Sequence, residues 1–255
     1  MSNQIRAELF KLQRNKTFWV LVLISTGISA LLHYLVIIEW WQMQNTAFDR
    51  AGLSEFNAIS TFTVPLFFNL IISPLAGFYI SNEFSNSSVI KNQIISGSKR
   101  SHIFLSKYLV FTIGSIVLTI IIPIMTAIIE VILLGHGDIL TPSTMLYLGR
   151  AYSLFTLQYL GYTAILILIA IITEDSGKTI IFSIVLTIVM FVIEKLPNIP
   201  IVSMIYNNSI FNQFSEVFTF SMTSGEILKS ILIALVTLII ITLCGVIVFN
   251  KKEIK

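Results

Sequence analysis

Residues 228–249 read LKSILIALVTLIIITLCGVIVF, with one charge, Lys229, near the start. A helix rises about 1.5 Å per residue and the hydrocarbon core of a bilayer is about 30 Å thick, so a run of this length and character spans a membrane. Five further runs of the same kind precede it, at 18–38, 60–80, 104–134, 146–172 and 179–193. Together they predict an all-α membrane protein with six transmembrane helices. The run at 179–193 is the shortest and can borrow length from the segment after it. The run at 18–38 is no cleaved signal peptide. Its apolar stretch is too long, and Glu39-Trp40-Trp41 stands where a small-residue cleavage site would follow.

Composition agrees. Of 255 residues, 55% are hydrophobic and 11% charged, whereas a soluble domain carries about 25% charged residues. So few charges cannot solvate a water-facing surface, which excludes a soluble enzyme and a disordered chain. A single membrane domain covers 1–255. The 16 basic and 13 acidic residues leave a net charge of +3, with no basic face of the kind that binds nucleic acid. Cys244 is the one cysteine. It cannot form an internal disulfide, and within an apolar run it reads as a small buried hydrophobe.

Lysine and arginine set the orientation. With the N-terminus inside, six spans bring the C-terminus inside as well. Arg6, Lys11, Arg14, Lys16, Lys91, Lys99, Arg100, Lys107, Lys178, Lys251, Lys252 and Lys255 then face the cytosol, against Arg50, Arg150, Lys195 and Lys229 outside. Acidic residues lean outward, and Trp40 and Trp41 sit at an outer aromatic belt. The chain is thus expected as a multi-pass membrane protein with both termini inside. Pro123 predicts a kink in the third span. Pro65 and Pro74 predict a bent or broken second span.

The spans lack deep chemistry. No ionisable residue falls well within any of them; His33, Glu130 and Arg150 lie a few residues from outer ends. Ion-coupled transporters place such groups near the midplane, and intramembrane enzymes need convergent catalytic groups. No catalytic set and no metal set is expected, and the scattered His33, His102 and His136 read as isolated. Gly177-Lys178-Thr179 resembles the end of a phosphate-binding loop. The required earlier glycine is replaced by Ile172, and no strand precedes it. No cofactor is expected on this chain, so energy for any transport must come from another polypeptide.

Two cytosolic elements stand out. In 1–16, Ile5, Leu9 and Leu12 recur at helical spacing while Arg6, Lys11, Gln13 and Arg14 take other faces. This predicts an amphipathic interfacial helix on the inner leaflet, with membrane lipids as partners, or simply a positive flank to the first span. The loop SNEFSNSSVIKNQIISGSKRSHIFLSK (81–107) is the most polar stretch. Asn86-Ser87-Ser88 can cap a short helix, Val89, Ile90, Ile94 and Ile95 give it an apolar stripe, and Gly97 ends it. Such a helix either docks in a partner's groove or rests on the leaflet.

Glu83, Phe84, Val89, Ile90, Lys91, Asn92, Gly97, Arg100 and Lys107 reproduce the pattern after the second span of ABC-2 type permeases: Glu-Phe, a Gly-Thr-Ile-Lys-Asn-like run, Gly-x-x-Arg, then a Lys opening the third span. Ser87 and Ser88 depart from the usual Gly-Thr. The chain resembles the permease subunits of bacterial ABC transporters over 5–16 and 83–107, and shares topology elsewhere. The resemblance implies that 81–103 carries a cytosolic coupling helix held in a cleft of a separate ABC ATPase. It implies two ATPase copies, which bind ATP and Mg, and a second permease, identical or different. Glu83, Lys91, Asn92, Lys99 and Arg100 are then the residues that contact the ATPase or orient the coupling helix. Among such permeases it is similar to those of Gram-positive peptide exporters, of the phenol-soluble modulin or bacteriocin and lantibiotic immunity type.

The segment 195–225 carries Pro197, Pro200 and several aromatics. It predicts one or two short outer helices before the last span, forming either a re-entrant lid or an anchored interfacial loop. Walls of Ile, Leu, Phe and Val with scattered Ser, Thr and Asn suit an amphipathic or apolar cargo. The function expected is the membrane subunit of an exporter for amphipathic or hydrophobic peptides, with self-immunity. The alternatives are an immunity protein that sequesters a peptide without turnover, an exporter of lipid or drug, and a membrane-embedded enzyme.

Overall fold

The computed structural model describes residues 1–85, 88–196 and 200–252. Every regular element among them is helical. Six helices are long and apolar enough to cross a membrane: Lys16–Ile37, Pro65–Phe84, Arg100–Leu133, Pro142–Thr173, Ser176–Lys195 and Ser224–Lys251, spans 1 to 6. Span 4 has 32 residues, about 48 Å of helix at the standard rise, so it extends beyond a hydrocarbon core.

Span 2 starts later than its apolar run. Ile59–Thr63 is a separate short helix, Val64 is extended at ψ 126°, and Pro65 opens the span. Proline at a first helical position wastes no bond, but its ring drives the preceding residue out of the α region. Further along, the helix widens into a π-helical stretch over Ala76–Ser81. There the Ser176 hydroxyl donates to the Gly77 carbonyl at 2.8 Å, a side chain entering the backbone ladder. Span 3 widens in the same way over Val117–Ile121, just before Pro123. The ladder bond that Pro123 cannot make would fall on Thr119, inside that wide turn.

Spans 2 and 4 are the most enclosed. Span 1 lies along the later half of span 3, span 5 along span 2, and span 6 along span 4. Small polar residues tie these pairs, and spans 3 and 4 as well. Ser25 donates to the Leu118 carbonyl at 2.6 Å, Thr112 to Thr163 at 2.9 Å, Asn69 to Thr187 at 3.2 Å, and Gln158 to the Ser230 hydroxyl at 2.9 Å. The Ser, Thr and Asn side chains read as cargo wall thus serve in part as ties between helices, where apolar lipid offers them nothing.

Two single residues also differ from expectation. His33 is fully buried, its Nδ1 2.7 Å from the Ser29 carbonyl and its ring stacked over Phe62. Cys244 is exposed, because span 6 turns most of its surface away from the bundle.

Alternating spans return both ends of the chain to one end of the bundle. That end also carries the N-terminal helix Ser2–Arg14, the loop helix Ser88–Ile95 and the turn at Glu174–Asp175. This is the basic end of the bundle.

Candidate functional site

The loop helix stops where its sequence says it should. Gly97 adopts φ +84°. Its amide donates to the Ile94 carbonyl at 3.0 Å, and that of Ser98 to Gln93 at 3.2 Å. These paired bonds are the Schellman stop, which needs a left-handed residue and so favours glycine. The proposed cap at Asn86 and Ser87 lies outside the described residues. The apolar stripe is narrower than expected. Ile90 is buried and Ile94 packs partly on the core, but Ile95 is 74% exposed. Ile95 shares a face with Lys91, one turn earlier, and both point outward with Asn92 and Lys99.

Behind this exposed face lies a buried ionic cluster. The Glu8 side chain, on the N-terminal helix, is 1% exposed. Lys11 Nζ donates to Glu8 and to Glu83, each at 2.9 Å. Lys107 Nζ, in span 3, reaches both Glu8 oxygens at 3.1 and 3.2 Å and also pairs with Glu83. Tyr79 Oη donates to the Glu8 carboxylate at 3.0 Å, and Gln93 Nε2 of the loop helix donates to it at 3.2 Å. Burial alone would raise the Glu8 pKa. Lys107 and Lys11 outweigh it and hold the carboxyl at about 2. Burial would lower the Lys11 pKa, but Glu8 and Glu83 raise it instead. Two acids against two bases leave no net charge in the cluster.

A second lock lies beside it. Arg100 Nη1 donates to the carbonyls of Asn250 at 2.9 Å and Lys252 at 2.6 Å, with Phe249 at 3.3 Å. It satisfies the free carbonyls that end span 6. Lys252 pairs with Glu174 at 2.7 Å. The expected contact residues therefore divide. Lys91, Asn92 and Lys99 are exposed, whereas Glu83 and Arg100 are engaged within the chain, Glu83 with Lys11 and Lys107 and Arg100 with the end of span 6. Glu253, Ile254 and Lys255 lie outside the described residues.

The N-terminal helix forms as its spacing predicts, with Leu12 buried, Ile5 and Leu9 half-buried, and Arg6 and Arg14 exposed. Its stripe covers protein rather than lipid alone: Leu12 packs against Gly114 of span 3. Sequence reasoning missed Glu8 and the pairing role of Lys11, Lys107, Tyr79 and Gln93. A signal was present, since Glu8 completes the Ile5, Leu9, Leu12 stripe and places a charge on an apolar face. Lys107, taken as opening the third span, lies a full two turns inside it and is buried.

At the other end, Pro200–Asn207 and Ile210–Glu216 are the two short helices; Pro197 lies outside the described residues. Phe214 and Phe211 pack on Tyr162 at 6.0 and 5.8 Å between ring centroids, and Phe214 meets Phe68 at 5.1 Å. Ile210–Glu216 thus enters the bundle and reaches the middle third of span 4. Two apolar clefts flank the break at Val64. One of about 560 Å³ is lined by Phe48, Phe67, Leu70 and Phe218. The other, of about 230 Å³, lies between Met190, Tyr206, Phe211 and Phe214. Among the described residues, no three His, Cys, Asp or Glu side chains converge as a metal set. The residues of the phosphate-loop lookalike open span 5, where Asp175 caps the Lys178 amide at 2.8 Å.

The sequence model of the ABC-2 family transporter protein matches residues 4–194, from the N-terminal helix through span 5. The chain belongs to this family. No curated protein matches it. As an ABC-2 family member with six apolar spans, it is a membrane transport component and a multi-pass protein of the bacterial cytoplasmic membrane. Family membership implies an ABC ATPase partner.

Proposed function

We propose that this ABC-2 family member is the permease subunit of an ATP-driven exporter that moves amphipathic or hydrophobic peptides, such as cytolytic toxins or antimicrobial peptides, out of the cell and thereby protects it. The basic end faces the cytosol, with both termini, because it gathers most of the lysines and arginines. The N-terminal helix lies at the inner interface. One observation carries the coupling role: a short helix that exposes Lys91, Asn92 and Ile95, with exposed Lys99 just beyond its end, is backed by a charge-balanced buried cluster. A rigid knob of this kind fits the groove of a partner. The partner is a cytosolic ABC ATPase in two copies, which binds ATP and Mg, and a second permease completes the assembly. The apolar clefts beside Val64, together with the scarcity of deep charge, favour an amphipathic cargo over a small polar one.

The test is a pull-down of the chain from its native membrane in mild detergent. A soluble ATPase should co-purify in stoichiometric amount and be lost from Lys91→Glu/Lys99→Glu. Adding candidate peptides should then stimulate ATP turnover. Capture of a peptide with no ATPase would instead establish sequestration.

A further inference from the structure

We infer that Glu8 is a positioning residue that fixes the loop helix to the N-terminal helix, so that the two move as one body. The inference rests on the coupling role proposed above.

Four segments meet at one carboxylate. Lys11 comes from the N-terminal helix, Tyr79 from span 2, Lys107 from span 3 and Gln93 from the loop helix. The apolar contacts of Ile90 and Ile94 hold the loop helix against the core, but such contacts are non-directional and let a helix slide or roll. The Gln93 bond to Glu8 has a required distance and angle, so it fixes the roll. Gln93 directly follows Lys91 and Asn92, and a roll about this point would carry that free face with it. Glu8 itself is buried and cannot touch a partner. Any effect of changing it on the loop is transmitted, which separates positioning from contact.

The charges reinforce the geometry. Lys11 and Lys107 each bridge Glu8 and Glu83, so the N-terminal helix, the end of span 2 and span 3 are stapled at the same place. A push on the loop helix therefore reaches the N-terminal helix through Gln93 and Glu8, and reaches spans 2 and 3 through the two lysines.

The test uses the full chain with its co-purifying ATPase in phosphatidylglycerol–cardiolipin vesicles, with Cys244→Ser removing the native thiol. Spin labels at Ala7→Cys and Ile95→Cys, both exposed, report the distance between the two helices. The expected result is one narrow distance, unchanged between the nucleotide-free and ATP–vanadate-trapped states. Among the described residues the Gln93 side chain bonds only to Glu8, so Gln93→Leu cuts that link, and should broaden the distribution at least twofold without nucleotide and let it shift on trapping. It should also lower peptide-stimulated ATP turnover several-fold while the ATPase still co-purifies. Glu8→Gln should act in the same direction, and if it fails to fold, Gln93→Leu decides. An unchanged distribution in Gln93→Leu overturns the inference, as does a trapping shift equal in both proteins. If no ATPase co-purifies from the unaltered chain, the coupling role falls, whereas the nucleotide-free distances still test the tie between the helices.

Discussion

Gly245 of span 6 makes room for the ring of Phe104 in span 3: a Cβ at position 245 would stand 2.5 Å from Phe104 Cζ. Phe104 is buried, so its ring has nowhere to retreat. Gly245→Ala should therefore destabilise the chain by about 1–3 kcal/mol through overpacking. Thermal unfolding of the detergent-solubilised protein would register this as a lower Tm. Phe104→Leu added to Gly245→Ala should recover most of the loss.

Arg100 predicts a local effect rather than a global one. Its guanidinium satisfies carbonyls at the end of span 6. Hydrogen bonds to a charged group contribute about 1.5–3 kcal/mol. Arg100→Ala should fray the last turn, and hydrogen exchange at 246–252 should accelerate about tenfold or more while the rest of span 6 keeps its protection. Arg100→Lys should recover part of the effect, since an ammonium lacks the planar fork.

The ionic cluster makes stability depend on pH at both extremes. The Glu8 pKa is depressed from 4.5 to about 2. Its contribution is complete above the unfolded value near 4.5 and is lost as pH falls toward 2. The Lys11 pKa is raised above 10.5, so its contribution is complete below that value and is lost at higher pH. Melting temperature against pH should fall below about 4.5 in the native chain. Lys107→Met should lower it at neutral pH by leaving a buried carboxylate short of a partner, a loss of about 3–5 kcal/mol. Glu8→Gln/Lys107→Met should be more stable than Lys107→Met alone.

Phe68 is the hub of the aromatic group, with Tyr159, Tyr162, Phe155 and Phe214 around it. Phe68→Ala opens a cavity beneath Ile210–Glu216 at a cost of about 3–5 kcal/mol. That helix should lose exchange protection before the spans do. Uniform loss across all segments would show that the helix is not a separable unit.

The spans were legible because each is a continuous apolar run, and Gly97 marked the end of the loop helix by its own chemistry. Pro65 announced a break in span 2, though the run alone could not show that Val64 and the residues before it leave the span. What stayed hidden depends on which helices are neighbours. Glu8 and Lys107 stand 99 residues apart and pair only because the N-terminal helix lies along span 3. Cys244 and Ile95 sit on faces whose exposure is decided by the packing of whole helices. The bonds of Arg100 to the end of span 6 were hidden for the same reason, because nothing in the loop reveals that this end lies beside it.

The wide turns at Ala76–Ser81 and Val117–Ile121 have a further meaning for chain length. Each holds a surplus residue relative to the α-helix on either side. Deleting one residue from such a turn restores ordinary helix while the flanking halves keep their faces. The same deletion elsewhere in the span would rotate everything beyond it by about 100°. These two turns are thus the points at which loss of one residue leaves the two halves of the span on their original faces.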